Sequence, residues 1–282
     1  YFHRTGQNTL IYPVVWYMSS LYQPSAEFFD VWYKREHPED YDKMMAKTYS
    51  KAGIEFWPSI RNWTLPSVKP LIKNPEDIRS GKVNDYVNAV TSDGQVRIID
   101  KKQWHKPPQV NAFHPRVREA MKNLVSEIMD RIGDEPSVPG IALFNTVHSC
   151  HGLGTVNQSY DDYTLKLFSQ ETGISLPLPP SKPEERFFAW YTWLKKEHWN
   201  EWIQWRKEKQ TEIFYELAGI VAAKKPGVKL QVMVKYAIPT LYVGETVNDV
   251  NAYLNEIGID LEALARNKDI IISRMSRASE YQ

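Results

Sequence analysis

Two kinds of hydrophobic pattern alternate along the chain. Short apolar runs rich in β-branched and aromatic residues read as buried strands over residues 10–17, 54–60, 140–145, 229–234 and 269–273. Between them, apolar positions recur with helical spacing. The clearest case is Val117, Met121, Leu124, Val125, Ile128, Met129 and Ile132, which trace one face between His114-Pro115 and Gly133. Proline at the first helical position and glycine after the last apolar residue mark its two ends. Pro24-Ser25 opens a short helix, and Pro38-Glu39-Asp40 opens a firmer one that Gly53 ends. Further helices are predicted over 160–172, with Gly173 as C-cap, over 184–223 as one long helix, and over 247–257.

Strands that are apolar throughout, each followed by a helix, predict a parallel sheet covered on its faces. A doubly wound open sheet and a (β/α)8 TIM barrel both satisfy that pattern. The open sheet commonly binds a nucleotide through a glycine-rich first turn. Neither G-x-G-x-x-G nor G-x-x-x-x-G-K-[ST] occurs, and Gly152-Leu153-Gly154 lacks the third glycine. The reading is therefore α/β, a (β/α)8 barrel forming a single domain over 1–282, with five strands legible and trimming at one or both ends left open. Ser92-Asp93-Gly94, flanked by 86–90 and 96–99, signals a β-hairpin inside an insertion spanning 81–110.

Charge changes this picture by exclusion. The 282 residues carry 35 Lys+Arg against 34 Asp+Glu, a net charge of +1, which speaks against a general nucleic-acid binder. The single cysteine, Cys150, cannot close an internal disulfide. No apolar run approaches the roughly 20 residues that span a bilayer. The start, Tyr1-Phe2-His3, is neither a signal peptide nor a methionine start, so a removed export signal and a secreted or periplasmic location stay open. Oligomeric state is not legible. Aromatic residues make up 13% of the chain, including 10 Trp and 16 Tyr, which serve either to pack large helices or to present flat rings to a ligand.

In a barrel, chemistry gathers at and just beyond the C-terminal ends of the strands. Those positions, with the loop residue Trp104, give Trp16, Arg61, Trp63, Asn145, His148, His151, Tyr236 and Arg274 as candidate substrate-binding residues. Rings against the apolar face of a pyranose, with polar groups around its hydroxyls, suit a sugar cleft. Packing of the barrel mouth is an equally weighted alternative. Candidate carboxylates are Asp161, Asp162, Glu245 and Glu280. Asp161 and Asp162 are consecutive, so on a helix they point about 100° apart, and first-turn acids have an ordinary role in stabilising the helix dipole. Glu245 can also be read as a solvated loop acid. His148-Ser149-Cys150-His151 supplies too few ligands at suitable spacing for zinc, so no metal is expected. Phe187, Trp190, Leu194, Trp202, Trp205, Ile213 and Leu217 form a helical stripe that reads as core.

One resemblance adds to this reading. The passage from His114-Pro115-Arg116-Val117-Arg118 through Pro136-Ser137-Val138-Pro139-Gly140-Ile141-Ala142-Leu143 resembles the helix-to-strand passage of glycoside hydrolase-like TIM barrels. Tyr160-Asp161-Asp162-Tyr163 through Glu171-Thr172-Gly173-Ile174 is similar to a segment of the clan A glycosidases, especially the family 42 β-galactosidases, and so is Trp202-Ile203-Gln204-Trp205-Arg206. The likeness covers roughly residues 114–275. It implies a cofactor-free barrel acting on, or descended from one acting on, oligosaccharides. One departure counts against a direct carry-over. Clan A enzymes place a catalytic acid in an Asn-Glu pair after a strand, whereas here the corresponding strand ends Asn145-Thr146. Two readings follow: a glycoside hydrolase working on an oligosaccharide or polysaccharide by carboxylate general acid/base chemistry, or a non-catalytic carbohydrate-binding or structural barrel that has lost the acid.

Overall fold

A computed structural model describes residues 6–17, 19–22, 40–63, 65–96, 109–145, 153, 155–234 and 250–274. Strand β1, Thr9–Tyr17, is followed by the two-residue strand β2, Ser19–Ser20, helix α1, Tyr41–Ala52, and strand β3, Glu55–Trp63. A short helix α2, Pro75–Arg79, precedes α3, Pro115–Ile132, and β4, Gly140–Asn145. Then come α4, Asp162–Thr172, α5, Arg186–Glu197, α6, Trp199–Lys224, and β5, Lys229–Val234. Helices α7, Val250–Glu256, and α8, Leu261–Arg266, lead into β6, Ile270–Arg274.

The strand order is β2-β1-β3-β4-β5-β6, and all neighbours except the β1–β2 pair run parallel. Five parallel strands thus lie side by side in chain order. A doubly wound sheet reverses direction at a switch point. Strict sequential order is instead that of a (β/α) barrel wall, in agreement with the sequence reading.

The two faces of this wall differ chemically. Phe56, Ile60, Ile141, Leu143, Leu230 and Val232 point to one side and form a single core with Val117, Leu124 and Ile128 of α3 and Leu217 and Val221 of α6. On the opposite side Trp57, Ala142, Phe144 and Met233, with Ile11, form a cluster made, among the described residues, of strand residues. In a barrel the helices lie outside, so this second face is the interior. Gly140 sets how closely two of these strands approach. A Cβ there would run into the carbonyl oxygen of Lys229 and lie 2.8 Å from the Trp57 ring.

A separate aromatic core explains where much of the tryptophan goes. Tyr160, Phe168, Phe187, Trp190, Trp202 and Trp205 are all buried together. Trp202 stacks on Trp205 with ring centroids 5.3 Å apart and meets Phe168 edge-on at the same separation. The stripe expected to be core is core.

One helix corrects the sequence reading, and two turns refine it. The long helix over 184–223 is broken, because His198 (φ −137°, ψ 31°) closes α5 and opens α6. Its N–H bonds to the Leu194 carbonyl while its own carbonyl accepts from Trp202, so the break orphans few backbone groups. It also lets both helices turn rings into one core. Of the hairpin, the described residues hold the turn and its antiparallel bridge, Val90 to Val96, while 97–99 lie outside them. Gly94 supplies the positive φ of 76° that the turn requires. Gly133 ends α3 without a left-handed φ. It is needed because a Cβ would sit 2.5 Å from the Met129 carbonyl oxygen.

The strand contact at Gly140 is directly testable. Gly140→Ala is expected to force β4 and β5 apart and lower unfolding free energy by about 1–3 kcal/mol, read as a fall in the urea midpoint without a change in slope. An unchanged midpoint would show that the strands tolerate a wider spacing.

Candidate carbohydrate site at the strand ends

The face of the sheet opposite the helices becomes polar toward the C-terminal ends of the strands. Parallel pairing sets Ser59 beside Ala142, Ala142 beside Gln231 and Gln231 beside Ile271. One step along the strands, Phe144 pairs with Met233 and Met233 with Ser273, and the guanidinium of Arg61 lies 5.8 Å from the Phe144 ring centroid. Gln231 donates from Nε2 to Ser273 Oγ at 3.0 Å, while its buried Oε1 has no partner among the described residues. Ser59 is fully buried, and its hydroxyl likewise finds none. Rings, an exposed cation and incompletely satisfied hydrogen-bonding groups therefore share one face. Such a lining can hold a ligand with apolar ring faces and many hydroxyls.

Of the residues expected at the rim, Trp16, Arg61, Trp63, Asn145 and Arg274 lie on strand ends. Trp16 pairs with Arg61, Tyr17 with Trp63, and Asn145 with Val234, which pairs with Arg274. The side chains of Trp16, Trp63 and Arg274 are outside the described portion. Trp104, His148, His151, Tyr236, Glu245 and Glu280 lie outside the described residues altogether. Asn145 is buried and its Nδ2 donates to the Leu153 carbonyl at 3.2 Å, bracing the loop that follows β4. Only its Oδ1 is without a partner among the described residues. No group of His, Cys, Asp and Glu able to hold a metal ion occurs among the described residues.

Asp161 and Asp162 have structural positions, which supports the alternative weighed for them over a catalytic role. Asp161 is the N-cap of α4 and accepts from Thr164 N at 3.0 Å, Thr164 Oγ1 at 2.9 Å and Asn111 Nδ2 at 3.0 Å. It is completely buried, and burial pushes its carboxyl up to about 6 against those hydrogen bonds. Asp162 faces the other way, as consecutive helical positions must. It takes a bidentate pair from Arg186, Nε to Oδ1 at 2.9 Å and Nη2 to Oδ2 at 2.7 Å, plus the Tyr86 hydroxyl at 2.6 Å.

Two arginines that the sequence reading passed over complete this framework. Arg186 also donates to the carbonyls of Ile78, Arg79 and Pro183, each at 2.8 Å. Arg206 is fully buried, pairs with no carboxylate among the described residues, and donates to the carbonyls of Thr155 and Gln158 at 2.9 and 3.0 Å. Burial draws its pKa down to about 10. It holds the returning half of the β4 loop against α6. The available signal was an arginine set directly within an aromatic stripe, Trp205-Arg206 and Arg186-Phe187. His114 caps α3 by accepting from Arg116 N at its Nδ1, 3.2 Å away, with its ring 4.8 Å from that of Tyr163. Burial lowers its pKa.

No family model and no curated protein matches the chain. Among solved structures, the catalytic domain of a β-amylase from Paenibacillus polymyxa is similar over 97% of this chain and 70% of its own, with a TM-score of 0.52 at 11% identity. A β-galactosidase from the psychrophilic Marinomonas ef1 matches 83% of this chain with a TM-score of 0.51 at 14% identity. One from Bacillus circulans sp. alkalophilus matches 98% with a TM-score of 0.51 at 12% identity. The chain spans only 34% and 36% of those two β-galactosidase chains. At such identities the shared property is the fold, the TIM barrel of these enzymes.

Two titrations follow from this geometry. Asp161 binds its proton more tightly folded (about 6) than unfolded (3.8), so its contribution to stability is complete below pH 3.8 and is lost as pH rises through 6. The loss is on the order of 3 kcal/mol. Asp161→Asn is expected to remove that loss, so the unfolding free energy of the variant gains on the native protein between pH 4 and pH 7; parallel curves would refute the assignment. His114 has the opposite sign. Its lowered pKa gives stability that is present above the unfolded value of about 6.5 and lost as pH falls through the folded one. His114→Asn keeps an acceptor at the cap without titrating, and is expected to flatten the drop in melting temperature between pH 7 and pH 5.

Proposed function

We propose that the chain is a glycoside hydrolase that cleaves an oligosaccharide or polysaccharide by carboxylate general acid/base chemistry. The observation that carries this reading is the face of the parallel sheet opposite its helices. Toward its C-terminal end, the ring of Phe144 stands beside the guanidinium of Arg61, with Ser273 in the same tier and Gln231 in the tier beneath. The fold shared with β-amylase and β-galactosidase structures supports the same substrate class. Trp16, Trp63, Trp104, His148, His151, Tyr236 and Arg274 are proposed to extend the cleft around the sugar.

Glycoside cleavage needs one carboxyl that donates a proton to the leaving oxygen and a second that attacks the sugar or activates water. Asp161 and Asp162 are committed to a helix cap and an ion pair. The proposed pair is therefore Glu245, in the segment after β5, and Glu280, in the segment after β6. Retention calls for a separation of about 5–5.5 Å and inversion for about 6.5–9.5 Å.

A second reading is a carbohydrate-binding barrel without hydrolysis. It is favoured by the strand end Asn145-Thr146, which lacks the glutamate expected there, and by the structural use of both neighbouring aspartates. One experiment separates the two. The native protein, Glu245→Gln and Glu280→Gln are assayed on aryl glycosides and polysaccharides, with glycan binding measured in parallel. Hydrolysis by the native protein, falling at least about 100-fold in each variant while binding persists, is the expected result. Undiminished turnover in both variants would remove these glutamates from the mechanism, and binding without turnover by the native protein would favour the second reading.

A further inference from the structure

Among the described residues of the interior face, the charge is of one sign. Among the described residues, the tier containing Arg61, Phe144, Met233 and Ser273, and the tier beneath it, contain a guanidinium and no carboxylate. Three arginines of the surrounding helices are neutralised or sealed. Arg131 and Arg186 sit on Asp42 and Asp162, and Arg206 is enclosed against backbone carbonyls. Arg61 is different: it is exposed, its guanidinium lies over Phe144, and it has no ion pair among the described residues. Its position on β3, with Phe144 beside it, keeps the cation on the face assigned to sugar.

We infer that Arg61 recognises the carboxylate of an acidic sugar, so that the substrate class is a uronic acid-containing glycan rather than a neutral one. This rests on the carbohydrate reading above and deepens it. A guanidinium presents parallel N–H groups that match a carboxylate in two hydrogen bonds, and it is weakly hydrated enough to give up water at a partly apolar site. A neutral sugar offers Arg61 hydroxyls only, whose hydrogen bonds lack the second charge. Across the tier, Ser273 Oγ accepts from Gln231 and donates to no acceptor among the described residues, which leaves its hydrogen for a sugar oxygen. The floor between them is Phe144 and Met233, an apolar surface for a ring face.

The test uses matched oligomers that differ only in the carboxylate. β-1,4-Oligoglucuronate is compared with the cello-oligosaccharide of equal length, and β-1,4-oligomannuronate with the manno-oligosaccharide, by calorimetric titration of the full chain. At least one acidic member is expected to bind about tenfold or more tightly than its neutral counterpart. That advantage should shrink as salt rises. Arg61→Gln is expected to bring the acidic oligomer down to the affinity of the neutral one, and Arg61→Lys to retain part of the preference. Equal affinity within both pairs, or a preference that survives Arg61→Gln, overturns the inference while leaving a neutral-glycan site standing. Binding of no oligomer in either pair overturns this inference, and failure on every glycan of the wider panel overturns the carbohydrate reading with it.

Discussion

The structure depends on the pairing of charges that have been taken out of water. Asp162 and Arg186 join the start of α4 to the segment around α2, and the Tyr86 hydroxyl closes the same node from the insertion. One residue away, Asp161 binds Asn111 and Thr164 and so ties the entrance of α3 to α4. Desolvating such groups is costly, and removing one partner leaves the other buried without compensation. The node therefore specifies one placement of the insertion over the helix layer. It explains why two adjacent acids near the strand ends belong to the frame.

That frame sets the position of the loop after β4. Arg206 reaches from α6 to two of the loop's carbonyls, and Asn145 holds it from the strand side through Leu153. The buried charge is tolerated here because carbonyl dipoles replace water around it. Its lowered pKa measures the remaining cost. The result is a strand end held rigidly from two directions, as a site that must present groups at fixed spacing requires.

The sheet itself separates stability from chemistry. One face is aliphatic and packs against α3 and α6, so burial of apolar area stabilises the wall. The other mixes rings, amide, hydroxyl and guanidinium, and leaves hydrogen-bonding capacity unspent. Side-chain alternation along each strand puts both functions on the same few residues. Ile60 and Arg61 are neighbours in the chain, yet one is buried in the core and the other is exposed on the opposite face.

Local rules settled much of the fold. Residues 140–145 and 229–234 fall into strands with the bounds read from their apolar runs, and Pro115 and Gly133 bracket the helix their positions implied. These signals are short-range, because side-chain periodicity, proline geometry and turn chemistry act within a few residues. The parallel order of the wall was accessible for the same reason. Other features depended on residues far apart in sequence. The break at His198 reflects two helices turning their rings into one aromatic core, which helical spacing alone cannot register. Likewise, Asp161 and Asp162 read as possible acids because only Asn111, Tyr86 and Arg186, between 24 and 76 positions away, absorb their charge. Which polar side chains are consumed by the scaffold and which stay open to a ligand was decided in three dimensions, since satisfaction of a hydrogen bond is a property of the neighbours that packing supplies.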